Sequence, residues 1–208
     1  LMESGIFNAM TNFVLDESQE IVTGNKIYLL FARIANVSLP LLFKILNFLG
    51  LDDNKFFGNW LDNINNNGNP RNKKINLLAL LSLSVTAVPQ KHEFFTARFA
   101  EIMQKTLIFL EEIQEDDQGN CNAYKRDIIY EEVDDYCYGE PDIAPHGEKI
   151  RYLQLIEQKD PVFSINIRGF IRQAFMQLRE SIGDAALSQL ISSNKDEYVL
   201  EKLQSIIN

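Results

Sequence analysis

Residues Asn72 to Thr86 read NKKINLLALLSLSVT. Ile75, Leu77, Leu78, Leu80, Leu81 and Leu83 spread around nearly every face of the helix this stretch would form. A helix that is apolar almost all round needs neighbours on several sides. The run is bounded by Asn63–Asn69 (NINNNGN), closed by Pro70, and by Pro89 on the far side. These are helix-breaking signals. The apolar run Leu77–Val85, flanked by Lys73, Lys74 and Lys91, is far shorter than the about 18 residues a membrane span needs. No membrane insertion is expected anywhere in the chain.

Working outward, the apolar period stays helical. Gly5 to Leu15 gives a short helix, and Ile21 to Val37 a longer one with Ile27, Leu30, Phe31 and Ile34 on one stripe. Ser38-Leu39-Pro40 restarts a helix over Leu41 to Gly50, where Gly50 reads as a carboxy-terminal cap. The stretch holding Phe56, Phe57 and Trp60 reads as less regular, its aromatics as core. Lys91 to Glu112 is long and amphipathic, and His92 at its start reads as a capping or surface residue. Beyond it, Lys149–Gln158 reads as helix before a break at Asp160-Pro161. Asn166 to Ile182 is the cleanest amphipathic helix. Ile167, Phe170, Ile171, Ala174, Phe175, Leu178 and Ile182 share one face, and Arg168, Arg172 and Arg179 lie off it. Ala185–Ile191 and Glu197–Ile207 close the chain.

About nine helical segments with short polar joints and no strand pair make an all-α chain. A compact bundle and an α-solenoid of HEAT-type antiparallel helix pairs both fit. Ile21–Val37 and Asn72–Thr86 would be the second members of successive pairs. Their centres lie about 50 residues apart, slightly above the roughly 40–47 of a HEAT repeat. The all-round apolar helix favours the solenoid, with units at 1–110, an acidic insertion at 111–148 and cap helices at 149–208.

The 208 residues are 46% hydrophobic, enough for a core, and carry a formal charge of −9. That balance disfavours direct nucleic-acid binding, which needs clustered Lys and Arg. Glu111–Glu148 holds 13 acidic and 2 basic residues, so the remainder is close to neutral. Here Glu131, Glu132, Asp134 and Asp135 sit among Tyr124, Tyr130, Tyr136 and Tyr138. Dense carboxylates draw basic partners, and Tyr faces suit Arg and Lys. Glu131, Glu132, Asp134, Asp135 and Tyr136 are the candidate contacts. Alternatives are a solvated loop, or one folding back through Ile128, Ile129, Val133 and Ile143. A role for Arg168, Arg172 and Arg179 with Lys149, Arg151 and Lys159 as a basic stripe competes with a solvated helix face.

Cys121, Cys137 and His146 share this region, but zinc wants closely spaced ligands and no C-x-x-C is present. Two Cys make no disulfide framework, which suggests a reducing compartment. No nucleophile, phosphate-loop or metalloprotease motif occurs, so neither cofactor nor enzyme activity is expected. Leu1 reads as the start of a fragment or processed chain.

One segment carries a likeness. His146 to Leu178 reads HGEKIRYLQLIEQKDPVFSINIRGFIRQAFMQL: a charged helix, then Asp160-Pro161-Val162, Phe163, and a Phe170-Ile171 helix. This order resembles the carboxy-terminal end of importin-β superfamily nuclear transport receptors, especially the importin-eleven type and less closely the importin-nine type. Lys26–Ala35 (KIYLLFARIA), and Trp60 to Leu83 with Arg71, Lys73 and Leu77-Leu78-Ala79-Leu80, resemble the preceding repeats. The long Tyr-rich acidic stretch and Asn63–Asn69 depart from that pattern. The resemblance implies a HEAT-repeat segment that binds protein cargo, basic in character, without catalysis. It implies Phe-Gly nucleoporins as partners and shuttling between cytoplasm and nucleus. Ran-GTP would act through amino-terminal repeats outside this stretch. A scaffold subunit unrelated to transport, and a compact helical adaptor, are the other functional readings of an all-α chain.

Overall fold

The structure is a computed structural model that describes residues 5–16, 21–116, 121, 124, 159–192 and 197–207. Their regular structure is helical throughout: α1 (Ile6–Leu15), α2 (Ile21–Val37), α3 (Leu39–Leu49), α4 (Asp53–Asn63), a 3-10 turn (Ile64–Asn66), α5 (Pro70–Ala87), α6 (Glu93–Ile113), α7 (Pro161–Ser164), α8 (Ile167–Ile182), α9 (Asp184–Ser192) and α10 (Glu197–Ile207).

The helices stack in two rows. α5 lies between α2 and α8 in one row, and α1, α4 and α6 follow one another in the second. α5 also packs on α6, which ties the rows together, while α9 and α10 close the far end against α6 and α8. This side-by-side order is an all-α solenoid, and it explains the all-round apolar helix. From Lys74 to Leu81 every residue of α5 is buried, because three helices surround it.

Aromatic residues fill the space between the rows. Tyr28 and Phe31 from α2, Phe56, Phe57 and Trp60 from α4, and Phe94 and Phe95 from α6 form one chain of ring contacts. Phe57 and Phe95 are 4.8 Å apart and Phe31 meets Phe56 edge-on at 5.2 Å. Buried rings of this kind contribute about 1.5–3 kcal/mol each by area alone. Trp60 Nε1 donates to Asn76 Oδ1 at 2.6 Å, so the one polar atom of the indole is satisfied inside the core.

Three local expectations change. The stretch around Phe56 and Trp60 is a regular helix. Asp52 caps it by accepting from the Asn54 and Lys55 amides, and burial of Phe56, Phe57, Trp60 and Leu61 outweighs the weak propensity of its Asn and Gly residues. Pro70 opens α5 as its first residue, with Asn69 as the cap. Asp160-Pro161 likewise starts a turn of helix, the Asp160 side chain accepting from the Val162 amide. A capping residue followed by proline therefore begins a helix at both places. Gly50 caps α3 in the left-handed conformation, φ 60°, as expected.

Candidate interaction site: a buried knot at the root of the acidic stretch

α5 carries two adjacent lysines near its start, and a helix enclosed on three sides cannot keep both in water. Lys73 reaches Glu112 at 3.3 Å at the surface. Lys74 points inward and is fully buried. Its ammonium meets the Glu115 carboxylate at 2.6 Å, and that side chain is fully buried too. Glu115 arrives there because α6 ends at Gln114 in the left-handed conformation, φ 50°, which turns the chain back toward α5. The second Glu115 oxygen accepts from the Ile167 amide at 2.9 Å. That amide is the first of α8, where a negative charge complements the helix dipole. The Tyr124 ring covers the ammonium, with Nζ 4.7 Å from its centre. Burial pulls Lys74 below the usual lysine range, opposed by the neighbouring carboxylate. Burial also pushes the Tyr124 phenol above its usual range, with the Glu115 charge adding to it.

Around this pair, the chain before and after residues 125–158 is tied to one place. On the outgoing side Arg71 donates from Nε and Nη2 to the Tyr124 carbonyl at 2.9 and 2.6 Å, and the Cys121 thiol donates to the Ile113 carbonyl at 3.1 Å. On the returning side Arg33 holds Asp160 at 3.3 Å. The two sides also bond each other. Asn166 Nδ2 donates to the Asp116 carbonyl at 3.1 Å, the Tyr124 and Phe163 rings meet edge-on at 6.3 Å, and the Arg71 guanidinium lies over Phe163 at 5.6 Å. Three basic side chains of the inner row, Arg33, Arg71 and Lys74, thus hold both roots of the acidic stretch.

The near end of the stretch read as an acidic insertion from Glu111 belongs to the helical core. Glu111–Ile113 finish α6, and Glu115, Cys121 and Tyr124 are buried. The pattern offered one overlooked signal: on a helix with no polar face, one of two adjacent lysines must turn inward and find a carboxylate.

Glu131, Glu132, Asp134, Asp135 and Tyr136 lie outside the described residues, as do Ile128, Ile129, Val133, Cys137, Ile143, His146 and the Lys149–Gln158 segment. Among the described residues no group of His, Cys, Asp or Glu is placed to hold a metal, and no helix is long and apolar enough to cross a membrane. Arg168, Arg172 and Arg179 are exposed. Arg172 donates to the Ile206 carbonyl and Arg179 pairs with Asp184, so two of the three serve the end of the solenoid. His92 contacts Asp53 at 3.3 Å at the start of α6 without capping it through its side chain. A groove of about 610 Å³ runs between the α5–α6 turn and α8–α9, with Val88, Pro89, Ala97, Ile182 and Leu190 among its walls.

The all-α two-row solenoid agrees with the comparison to known families. Residues 1–208, the whole chain, match the family described as importin-11-like, TPR repeats. The chain belongs to that family. This importin-11-like chain is 30% identical over 183 residues to the importin beta-like protein kap113 of Schizosaccharomyces pombe, covering 86% of the chain and 17% of that protein. It is 28% identical over 159 residues to the importin beta-like protein KAP120 of Saccharomyces cerevisiae, covering 74% and 14%. It is 24% identical over 142 residues to importin-11 of Mus musculus, covering 68% and 14%. The importin-11-like chain therefore spans about one sixth or less of the length of these relatives. No solved structure matches it. The family description names TPR repeats where the sequence suggested HEAT; both are stacks of helix pairs that bury a continuous core between neighbours.

Proposed function

We propose that this chain is the carboxy-terminal part of a nuclear transport receptor, and that it binds protein cargo without catalysis. The match of the whole chain to the importin-11-like family carries the reading. The longer protein shuttles between cytoplasm and nucleus, and Ran-GTP acts on repeats outside this stretch. The cargo is basic, and Glu131, Glu132, Asp134, Asp135 and Tyr136 contact it. Support comes from the eight acidic against two basic residues between positions 125 and 148. The apolar groove beside α8 and α9 supports contact with Phe-Gly nucleoporin repeats.

Binding of a basic ribosomal or chromatin protein tests this. At low ionic strength the Glu131/Glu132/Asp134/Asp135→Ser chain is expected to bind at least about tenfold more weakly than the unaltered one. The difference should shrink above about 0.5 M salt, where surface charges are screened. Equal affinity at low salt would sink the acidic contact.

A further inference from the structure

We propose that the groove between α5, α8 and the start of α3 binds a short uncharged stretch of a partner protein, held extended by its main chain. This groove, of about 200 Å³, is distinct from the one beside α9. Its two long walls carry matched polar pairs. Gln173 and Gln177 stand four residues apart on α8, and Ser82 and Thr86 four apart on α5. Val85 and Ala174 add apolar surface between them. Both Gln side chains are exposed. Among the described residues neither carboxamide has a hydrogen-bond partner, and neither does the Ser82 hydroxyl. Thr86 Oγ1 donates to the Ser82 carbonyl at 3.2 Å, which leaves its lone pairs free to accept.

Spacing decides what such pairs can hold. Residues four apart on a helix are separated by about 6 Å along its axis. Residues two apart in an extended chain are separated by about 6.6 Å and turn their N–H and C=O groups to the same edge. A carboxamide both donates and accepts, so each Gln can pair with the two groups of one such residue. Gln173 and Gln177 therefore match one edge of an extended segment, and Ser82 and Thr86 face its other edge. Main-chain bonds supply the affinity in this mode, and side chains that enter pockets supply the selectivity. Charge narrows the occupant further. Among the described residues no charged side chain lines the groove. A Lys or Glu entering it would lose water without gaining a counter-charge. A stretch that alternates small apolar and uncharged polar residues suits both the walls and the apolar surface between them. This contact needs no ion pair, so it is separate from the acidic one. It holds whether or not the partner is transport cargo.

Nuclear magnetic resonance titration of the intact chain with the blocked peptide Gly-Thr-Val-Ser-Val-Thr-Gly tests it. Amide shifts are expected at Thr86, Ala174 and Gln177, and none in α1. The double variant Gln173→Ala/Gln177→Ala, at two exposed positions, is expected to bind at least about fivefold more weakly with Trp60 emission unchanged. The same peptide N-methylated at every interior residue, which has lost its main-chain donors, should weaken as much. Raising salt from about 0.05 to 0.5 M should change the affinity by less than about twofold, unlike that of the acidic contact. Absence of shifts in α5 and α8 at about 5 mM peptide overturns the proposal. So does unchanged affinity in the double variant or for the N-methylated peptide. Tighter binding of a peptide with Glu or Lys in place of its Val residues overturns it as well.

Discussion

The two halves of this solenoid are held by opposite means. Between α1 and α6 the rows are filled by rings, and apart from Lys74 the buried polar side chains are neutral: amides such as Asn76 under Trp60, and the hydroxyls of Thr11, Ser84 and Thr106. Where α7 and α8 join, the contacts are a buried ion pair, a guanidinium on a carbonyl and a side-chain amide on a backbone carbonyl. Apolar burial is non-directional, and its loss scales with the area exposed. A buried charge depends on a single partner in one geometry, so its loss is abrupt. The aromatic half should tolerate substitution; the junction should not.

The sharpest break is Glu115→Ala. It strands the Lys74 charge and leaves the Ile167 amide without its acceptor. It is expected to cost about 3–5 kcal/mol in urea unfolding. Replacing the pair together, Lys74→Met with Glu115→Leu, should recover most of that loss, because an apolar pair of similar volume needs no partner. A double variant as unstable as Glu115→Ala would argue that the Ile167 bond, and not the charge pair, is what matters.

Alkaline pH sharpens the comparison, since among the described residues each half buries a phenol. Tyr28 and Tyr124 are both pushed above the usual 10.0, chiefly by burial. Above that value the unfolded phenols lose protons that the native ones keep. The native state then binds more protons, and stability falls as pH rises. The loss is up to about 1.4 kcal/mol per pH unit for each phenol. Lys74 works in the opposite sense below its usual 10.5, because burial depresses it. Tyr28→Phe and Tyr124→Phe should each flatten the alkaline slope by a similar amount if the halves unfold as one unit. If only Tyr28→Phe flattens the slope followed by Trp60, the halves come apart separately.

The smallest expected effect is in the rings. Phe56→Leu, at a fully buried site touching Phe31, Phe57 and Trp60, should cost about 1–1.5 kcal/mol because it removes apolar contact but strands no polar group. A loss equal to that of Glu115→Ala would erase the contrast between the halves.

The helical architecture was legible because periodicity reports burial directly. α2 and α10 run over the residues the pattern marks, and the all-round apolar α5 pointed to a stack. α4 was harder, because Asn59, Asn63 and Gly58 mask an apolar face that only the finished core reveals. Asn69-Pro70 and Asp160-Pro161 were ambiguous, since the same residues break one helix and begin the next. The paired lysines hinted at a buried charge, but its partners were out of reach of local pattern. Lys74 and Glu115 are 41 residues apart, and Arg33 and Asp160 are 127 apart. Nothing in either neighbourhood specifies the other.

Those separations also set an order of assembly. Contacts between α5 and α6 need only a short turn, whereas Glu115 must wait for Ile167, 52 residues on. Closing the longer excursion carries the larger entropic cost and is rewarded only when it is complete. Lys74 is therefore expected to stay hydrated through most of folding, on a face of α5 that α8 has not yet covered. Desolvating that one ammonium becomes the closing act of the fold.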